Sequence, residues 1–267
     1  MVIGGGPTGV ELAGALAEIA RHTLAHEFRH IDTPSARVVL IEAAPALLTA
    51  FPPELRARAE AALARLGVEV RKQTMVSGVD GEGVRAGDQR IAAGTVLWAA
   101  GVAASPLGRA LGAPLDRAGR VVVNPDLSIP DHPEISVVGD LAAFATGADA
   151  EGRPTLLPGV AQVAMQQAAH AARNILRATR GASSLPFHYR NYGNMATIGR
   201  AAAVADFGWL RLWGYPAWLA WLFVHIMQLT GFRNRLVVLV QWSWAYITYQ
   251  RNVRLITEPR GGDRTGA

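Results

Sequence analysis

The chain opens with Met1-Val2-Ile3-Gly4-Gly5-Gly6-Pro7-Thr8-Gly9-Val10-Glu11-Leu12-Ala13-Gly14, a short apolar strand followed by a glycine turn and the start of a helix. In this arrangement Gly4 permits the tight turn, Gly6 lets the backbone approach a pyrophosphate, and Gly9 lets the helix pack closely against the strand. Free N–H groups at the start of the helix then face the phosphates. The stretch therefore predicts a dinucleotide-binding unit.

A helix and a second strand follow the glycine turn. Apolar residues from Pro7 to about Phe28 are spaced so that one broad face of a helix is buried. The run Val38-Val39-Leu40-Ile41 is apolar at every position, as in a parallel strand that is covered on both faces. Glu42 ends this strand.

The position of Glu42 bears on the choice of nucleotide. A carboxylate at the tip of the second strand can accept hydrogen bonds from both ribose hydroxyls of NAD, and it repels the 2′-phosphate of NADP. The next residues, Ala43-Ala44-Pro45, include no arginine that could offset this repulsion. Glu42 therefore favours NAD, and the structural alternative is a solvated strand end.

Further patterns complete a first domain, which we place at residues 1–101. Pro53 to Leu66 has the spacing of an amphipathic helix, and Val84 to Ile91 predicts a hairpin. Thr95 to Gly101 predicts a buried strand whose small final residues, ending in Gly101, let a flat ring approach the backbone. These elements predict a Rossmann-like α/β domain that binds NADH.

A second chemical motif lies in the next segment, which we place at residues 102–188. Ile135 to Val138 predicts a strand that ends in Gly139 and Asp140, and a carboxylate beside a glycine is suited to binding a hydroxylated chain such as ribitol. The stretch Leu157 to Gln167 is expected to start a long helix that runs to about Thr179. Gln162 and Gln166 lie one turn apart on one face of this helix.

Composition excludes several classes of function. The chain of 267 residues contains no cysteine, which excludes disulfides, thiolate metal sites and a dithiol centre within it. Its net charge of +5 comes from scattered arginines, with Lys72 as the only lysine, so a nucleic-acid partner is not expected. His22, His26 and His30 are four apart, yet no carboxylate or cysteine completes a metal site, and a solvated helix face is favoured.

The last segment, residues 189–267, is apolar and rich in aromatic residues. Leu212 to Phe232 contains no Asp, Glu, Lys or Arg, and Leu236 to Gln250 is a second apolar run. Tryptophan and tyrosine prefer the membrane interface, and the arginines beyond Asp206 outnumber the acids there, which suits anionic lipid headgroups. We expect two interfacial helices; a spanning hairpin and a soluble dimer interface are the alternatives.

The chain resembles the type II NADH:quinone oxidoreductases, which are single-chain flavoenzymes of the two-dinucleotide-binding-domain superfamily. The resemblance rests on Pro7-Thr8-Gly9-Val10-Glu11, Trp98-Ala99-Ala100-Gly101-Val102, Val138-Gly139-Asp140, and the element Ala161-Gln162-x-Ala164-x-Gln166 with the tail that follows. The glutamine element and the tail point to this family in particular. The implied fold is Rossmann-like with C-terminal amphipathic helices.

The resemblance implies a role for each motif. Gly4, Gly6, Gly9 and Glu42 would hold NADH, and Glu11 would lie near the nicotinamide and flavin rings. Asp140 would bond the ribitol of FAD, and Gly101 and Gly139 would also belong to the cofactor-binding residues. The helix that opens at Ala161 and Gln162 would direct its positive end at the flavin, and Gln162 and Gln166 would border the quinone pocket. The enzyme would be peripheral on the cytoplasmic face of the cell membrane, with a homodimer left open.

Such proteins begin with a first dinucleotide fold that carries the FAD adenosine site, and we expect that this half is missing here. FAD binding by the segment alone should then be poor, and activity should belong to a longer parent. Two other hypotheses stay open. One is a different NAD(P)H-dependent flavoprotein reductase of disulfides or sulfide, and the other is a non-catalytic fragment that binds NAD.

Overall fold

The computed structural model describes residues 1–24, 30, 32–229 and 231–248. The chain divides into two compact units, Met1–Ala100 together with Asn194–Ala267, and Gly101–Gly193. The division of the sequence into three functional segments stays a prediction.

The first hundred residues form an α/β arrangement. Their elements in chain order are β1 (Val2–Ile3), α1 (Pro7–Glu18), β2 (Val39–Ile41), α2 (Pro53–Arg65), β3 (Glu69–Arg71), β4 (Val76–Asp80), β5 (Gly83–Ala86), β6 (Gln89–Ala92) and β7 (Leu97–Trp98). A parallel sheet has the order β3-β2-β1-β7, and β4, β5 and β6 form a separate antiparallel sheet. The predicted Rossmann-like fold, the helix over 53–66 and the hairpin over 84–91 are confirmed.

The parallel sheet is covered on both faces. Val2 and Leu40 pack into a cluster with side chains of α1 and α2. Ile3, Val39 and Ile41 pack on the opposite side with Val84 and Ile91 of the antiparallel sheet. Because successive strand side chains point to opposite faces, this arrangement explains why the run over 38–41 is apolar at every position.

One expectation for this part is corrected, and another is only partly covered by the described residues. The helix expected from Pro7 to about Phe28 is α-helical to Glu18 and continues as a π-helical turn over Ile19–Thr23. Residues 25–29, including His26, lie outside the described residues. The buried strand expected over 95–101 is only the short β7, and Trp98 is 61% exposed. Trp98 lies on β7, which is the edge strand of the described parallel sheet and pairs there with β1.

The second unit is built from short strands and one long helix. Its elements are α3 (Leu107–Ala110), β8 (Val121–Val122), β9 (Ser128–Ile129), β10 (His132–Ser136), β11 (Ala142–Ala143), β12 (Ala145–Ala148), β13 (Pro154–Leu156) and α4 (Ala161–Ala178). The long helix is confirmed. The strand expected over 135–138 ends earlier, at Ser136, because its only ladder partner in the described sheet is the short β9. Gly139 to Leu141 then form a 3₁₀ turn.

The chain returns to the first unit after residue 193. The strands β14 (Asn194–Gly199), β15 (Ala202–Asp206) and β16 (Arg211–Gly214) form an antiparallel sheet, and α5 (Tyr215–Gln228) and α6 (Phe232–Thr248) follow. Two C-terminal helices were expected and are present, although residues 212–214 belong to β16. Within the described part of the chain, no helix combines the length and the apolar character that a bilayer crossing requires.

Helix α1 packs closely against β14. A Cβ atom added at Gly14 would lie 1.6 Å from the carbonyl oxygen of Ile198, so glycine is required where the helix and the strand meet. This contact fixes the face of α1 that carries Glu11 and Glu18 relative to the C-terminal sheet.

Candidate functional site

The glycine turn between β1 and α1 has the geometry of a phosphate-binding turn. Gly4 has a φ of 109°, which favours glycine. A Cβ atom added at Gly9 would lie 1.7 Å from the carbonyl oxygen of Gly4, whereas one added at Gly6 would meet no described atom within 4 Å. Gly9 is therefore needed for packing, and Gly6 leaves the outer surface of the turn open to a ligand.

Glu42 lies directly beside this turn. Its Oε2 accepts a hydrogen bond from the Gly5 N–H at 2.5 Å, and its Oε1 accepts one from the Ala44 N–H at 2.6 Å. Two backbone donors thus fix the carboxylate at the tip of β2, with further lone pairs available to ribose hydroxyls. The residues present fit the adenosine half of NAD.

Glu11 lies on α1, one turn beyond the glycines. Its Oε1 accepts a hydrogen bond from the Thr197 N–H of β14 at 3.1 Å. The structure therefore connects Glu11 to the C-terminal sheet, a contact with a residue far away in the sequence.

A cavity of about 840 Å³ lies between α1, β14 and the two C-terminal helices. Tryptophan, tyrosine and leucine side chains of the two C-terminal helices line one wall, and Trp221 and Trp242 stack there with ring centroids 5.8 Å apart. Glu11 and Glu18 line the same cavity from α1. The Arg200 guanidinium lies 4.1 Å from the ring centroid of Tyr246, and the Arg200 N–H donates to Glu18. The cavity thus combines an apolar wall with a charged one.

Gly139 and Asp140 lie in the 3₁₀ turn of the second unit. Gly139 has a φ of 69°, and its N–H donates to Oε1 of Gln167 at 2.7 Å. The Asp140 side chain is exposed, and its Oδ1 lies 3.1 Å from the position that a Cβ atom on Gly159 would take. Glycine at 159 thus leaves room for the carboxylate, and an accessible carboxylate fits a ribitol hydroxyl.

Helix α4 begins at Ala161, two residues beyond Gly159. No described side chain caps its N-terminus, and its first turn carries no acid. The partial positive charge of this helix end is therefore available to an external anion.

The side chains of Gln162 and Gln166 are both used within the second unit. Gln162 donates from Nε2 to the Gly193 carbonyl at 2.8 Å, and Gln166 donates to the Arg190 carbonyl at 2.9 Å. The Tyr189 hydroxyl lies 3.4 Å from Oε1 of Gln162, and burial raises the pKa of Tyr189, so this hydroxyl keeps its proton and remains a donor. The two glutamines share a helix face, as expected, and they hold the segment over 189–193.

Gly101 has a φ of 97°, and a Cβ atom there would meet no described atom within 4 Å. Its backbone is therefore open to a ligand. Within the described ranges, no three His, Cys, Asp or Glu side chains are grouped as a metal site.

Sequence reasoning missed three residues of these sites. Gln167 and Gly159 support the Gly139–Asp140 turn, and Thr197 binds Glu11. Gln167 directly follows Gln166, so the sequence shows a polar side chain at this place on the helix. The helical spacing does not show that this side chain accepts a hydrogen bond from the Gly139 N–H.

Comparisons with known proteins agree with this geometry. Residues 1–168 match the pyridine nucleotide-disulphide oxidoreductase family, and residues 192–250 match the NDH2 C-terminal domain. The chain is 44% identical to two proteins of Mycobacterium tuberculosis, the type II NADH:quinone oxidoreductases NdhA and Ndh. These alignments include 96% and 99% of this chain but 56% and 58% of the two relatives. The chain thus spans about half the length of these curated relatives.

Solved structures share the fold. NDH2 from Plasmodium falciparum in complex with NADH superimposes with a TM-score of 0.78 at 17% identity, over 94% of this chain and 66% of that one. An NAD-dependent persulfide reductase from A. fulgidus gives a TM-score of 0.56 at 22% identity, over 76% of this chain and 34% of that one. At these identities the likeness shows the fold alone.

Proposed function

Because this chain belongs to the type II NADH:quinone oxidoreductase family of the pyridine nucleotide-disulphide oxidoreductases, we propose that it supplies the NADH site and part of the FAD site of an enzyme that oxidises NADH and reduces a membrane quinone. The observation that carries this proposal is the carboxylate of Glu42, which two backbone donors hold beside the open glycine turn.

The NADH site is formed by the glycine turn and Glu42. The backbone at Gly4, Gly6 and Gly9 receives the pyrophosphate at the N-terminus of α1. Glu42 accepts hydrogen bonds from the adenosine ribose hydroxyls and excludes the additional phosphate of NADPH. The nucleotide of choice is therefore NADH.

The flavin site uses the second unit. Asp140 accepts a hydrogen bond from the ribitol. Gly101 and Gly139 have no side chain, so their backbone can lie close to the cofactor. The N-terminus of α4, at Ala161 and Gln162, stabilises negative charge on the flavin ring. When bound, FAD supplies the redox centre that takes a hydride from NADH and returns the electrons to a quinone. The chain's own contribution is placement and electrostatics.

The quinone site uses residues that the structure holds rigidly. Gln162 and Gln166 are fixed by their bonds to the segment over 189–193, and they border the pocket for the quinone head. Glu11, fixed by Thr197, lies on the nicotinamide side and acts there as a charged positioning group. Rigid placement of such groups lowers the cost of ordering the substrates.

The C-terminal helices place the enzyme on the bilayer surface. Helices α5 and α6 have 14 and 17 residues, and Phe223 and Phe232 are 66% and 80% exposed. Exposed apolar helices of this kind insert into the headgroup boundary. We infer a peripheral protein on the cytoplasmic face of the cell membrane.

Membrane association is tested with Phe223→Asp and a control, Val79→Asp, which changes an equally apolar exposed residue of β4. We expect the wild type and the control to sediment with anionic phosphatidylglycerol vesicles, and Phe223→Asp to sediment several-fold less. A wild type that stays in the supernatant as a dimer would instead support the dimer-interface alternative.

The activity is tested by steady-state kinetics on the native protein with added FAD, a soluble quinone, and either NADH or NADPH. We expect NADH oxidation that depends on the quinone and is at least about tenfold faster than NADPH oxidation. The reason is that the 2′-phosphate of NADPH removes a hydrogen bond to Glu42 and adds charge repulsion, and the loss of one such contact weakens binding about tenfold. Tight flavin binding without quinone reduction would contradict the proposal.

A further inference from the structure

Gln167 is a buried amide whose oxygen is hydrogen-bonded and whose nitrogen has no partner among the described residues. The side chain is 1% exposed, and Oε1 accepts the Gly139 N–H at 2.7 Å. The other end, Nε2, is buried and has no acceptor among the described residues. A buried donor without an acceptor is costly, so such a group points to a ligand that completes it.

The bonded end of Gln167 acts on the turn that carries Asp140. Gly139 adopts a positive φ, and a Cβ atom there would lie 3.2 Å from Cβ of Ala164 on α4. The turn is thus pressed against the helix, and Gln167 binds the N–H of the residue just before Asp140. Gln167 therefore sets the direction in which the Asp140 carboxylate leaves the turn.

We propose that Gln167 is a positioning residue of the flavin site: its amide oxygen holds the Gly139–Asp140 turn, and its amide nitrogen donates to the bound flavin nucleotide. A nucleotide with ribitol hydroxyls and phosphate oxygens is rich in the acceptors that Nε2 lacks. This inference rests on the proposed function, because it takes FAD to be the ligand at this turn.

The matched control is Asn174, on the same helix α4. Asn174 is buried as well, and its side chain clamps Leu185 through Oδ1 at 3.0 Å and Nδ2 at 2.9 Å. Its hydrogen bonds with described residues go to Asp126, His170 and Leu185, and none of these goes to Gly139. An effect that arises from a disturbed helix should therefore appear equally in the Asn174 variants.

The first test compares Gln167→Met with Asn174→Leu in the native protein. We expect Gln167→Met to raise the FAD dissociation constant roughly 10- to 100-fold, because two hydrogen bonds are lost. Asn174→Leu should lower the unfolding midpoint but leave FAD affinity unchanged. In the absence of FAD, hydrogen exchange at the Gly139 amide should accelerate only in Gln167→Met.

A second pair separates the donor from the acceptor and covers the case in which Gln167→Met does not fold. In Gln167→Glu, burial raises the carboxyl pKa; the protonated form keeps both a donor and an acceptor, and the ionised form keeps only the acceptor. FAD affinity relative to wild type should therefore fall as the pH rises. Asn174→Asp should show no such pH dependence.

The outcomes distinguish a failure of the Gln167 inference from a failure of the proposed function. If wild type binds FAD and the Gln167 variants bind it as their Asn174 controls do, the inference is overturned and the proposed function stands. These measurements use the longer parent, in which the flavin site is expected to be complete. If that wild-type parent binds no FAD under any condition, the proposed function fails and the inference fails with it.

Discussion

The carboxylate of Glu42 accepts a hydrogen bond from the N–H of Gly5, although 37 residues separate the two in the chain. This bond joins the tip of β2 to the glycine turn after β1. In the proposed NADH site, it places a negative charge where the adenosine ribose would lie and where a 2′-phosphate would be repelled.

Glu42→Gln tests this arrangement. Glutamine keeps an acceptor for the Gly5 N–H, but it offers none to the Ala44 N–H, and it loses the charge that strengthens the ribose bonds. We expect the NADH dissociation constant, measured by fluorescence titration, to rise roughly 10- to 100-fold and the preference over NADPH to shrink. The control is Glu60→Gln, which removes a surface ion pair with Lys72 and should leave NADH binding unchanged.

Gly6 and Gly9 should respond in opposite ways to alanine. Gly9→Ala places a methyl group against the Gly4 carbonyl, and this clash outweighs the helix propensity of alanine. We expect a loss of about 1–3 kcal/mol in the free energy of unfolding, measured with urea.

Gly6 has an extended backbone, with φ −72° and ψ −179°, and open space around it. Gly6→Ala should leave the free energy of unfolding within about 0.5 kcal/mol of wild type and weaken NADH binding about tenfold or more. Unchanged NADH affinity would show that the pyrophosphate does not approach this turn.

Gly159→Ala should act on Asp140. The new methyl group would lie 3.1 Å from Oδ1 of Asp140, so the exposed carboxylate must rotate away. We expect retained folding and about tenfold weaker FAD binding, measured by flavin fluorescence. Gly147→Ala is the control, since its methyl group would meet no described atom within 4 Å. Equal FAD affinity in the two variants would show that Asp140 does not bind the flavin nucleotide.

Asp126 should give the second unit, Gly101–Gly193, a pH-dependent stability. Burial acts to raise its pKa, but hydrogen bonds from the hydroxyls of Ser128 and Ser184 at 2.6 and 2.5 Å outweigh this and lower the pKa below its ordinary value. The stabilisation is therefore complete above the unfolded value of about 3.9 and is lost as the pH falls through the lower folded value.

Asp126→Asn should accordingly reduce the free energy of unfolding by about 1 kcal/mol at neutral pH, an estimate that allows for solvent screening. The difference from wild type should vanish in urea titrations at a pH below the folded pKa of Asp126, where the carboxyl group is protonated in both states. A difference that persists at that pH would mean that the charge of Asp126 does not contribute.

The sequence predicted the parts of the fold that depend on local pattern. Local spacing of residues was enough to predict four elements: the glycine turn, the strand within the run over 38–41, and the helices α2 and α4. The strand over 95–101 was misjudged because apolar residues predict burial, and only the strand order shows that Trp98 lies on an edge.

Side-chain partners were beyond the reach of the sequence. The bond between Glu11 and Thr197 joins residues 186 apart, and it depends on how β14 packs on α1. The bonds of Gln162 and Gln166 depend likewise on the path of the segment over 189–193. Periodicity gives the face of a helix but not what lies opposite that face.

The most direct test of the proposed electron transfer is an anaerobic absorbance measurement on the native protein with bound FAD. NADH should bleach the flavin band, and a soluble quinone added afterwards should restore it. A flavin band that NADH leaves unchanged, or that stays bleached after the quinone is added, would contradict the account.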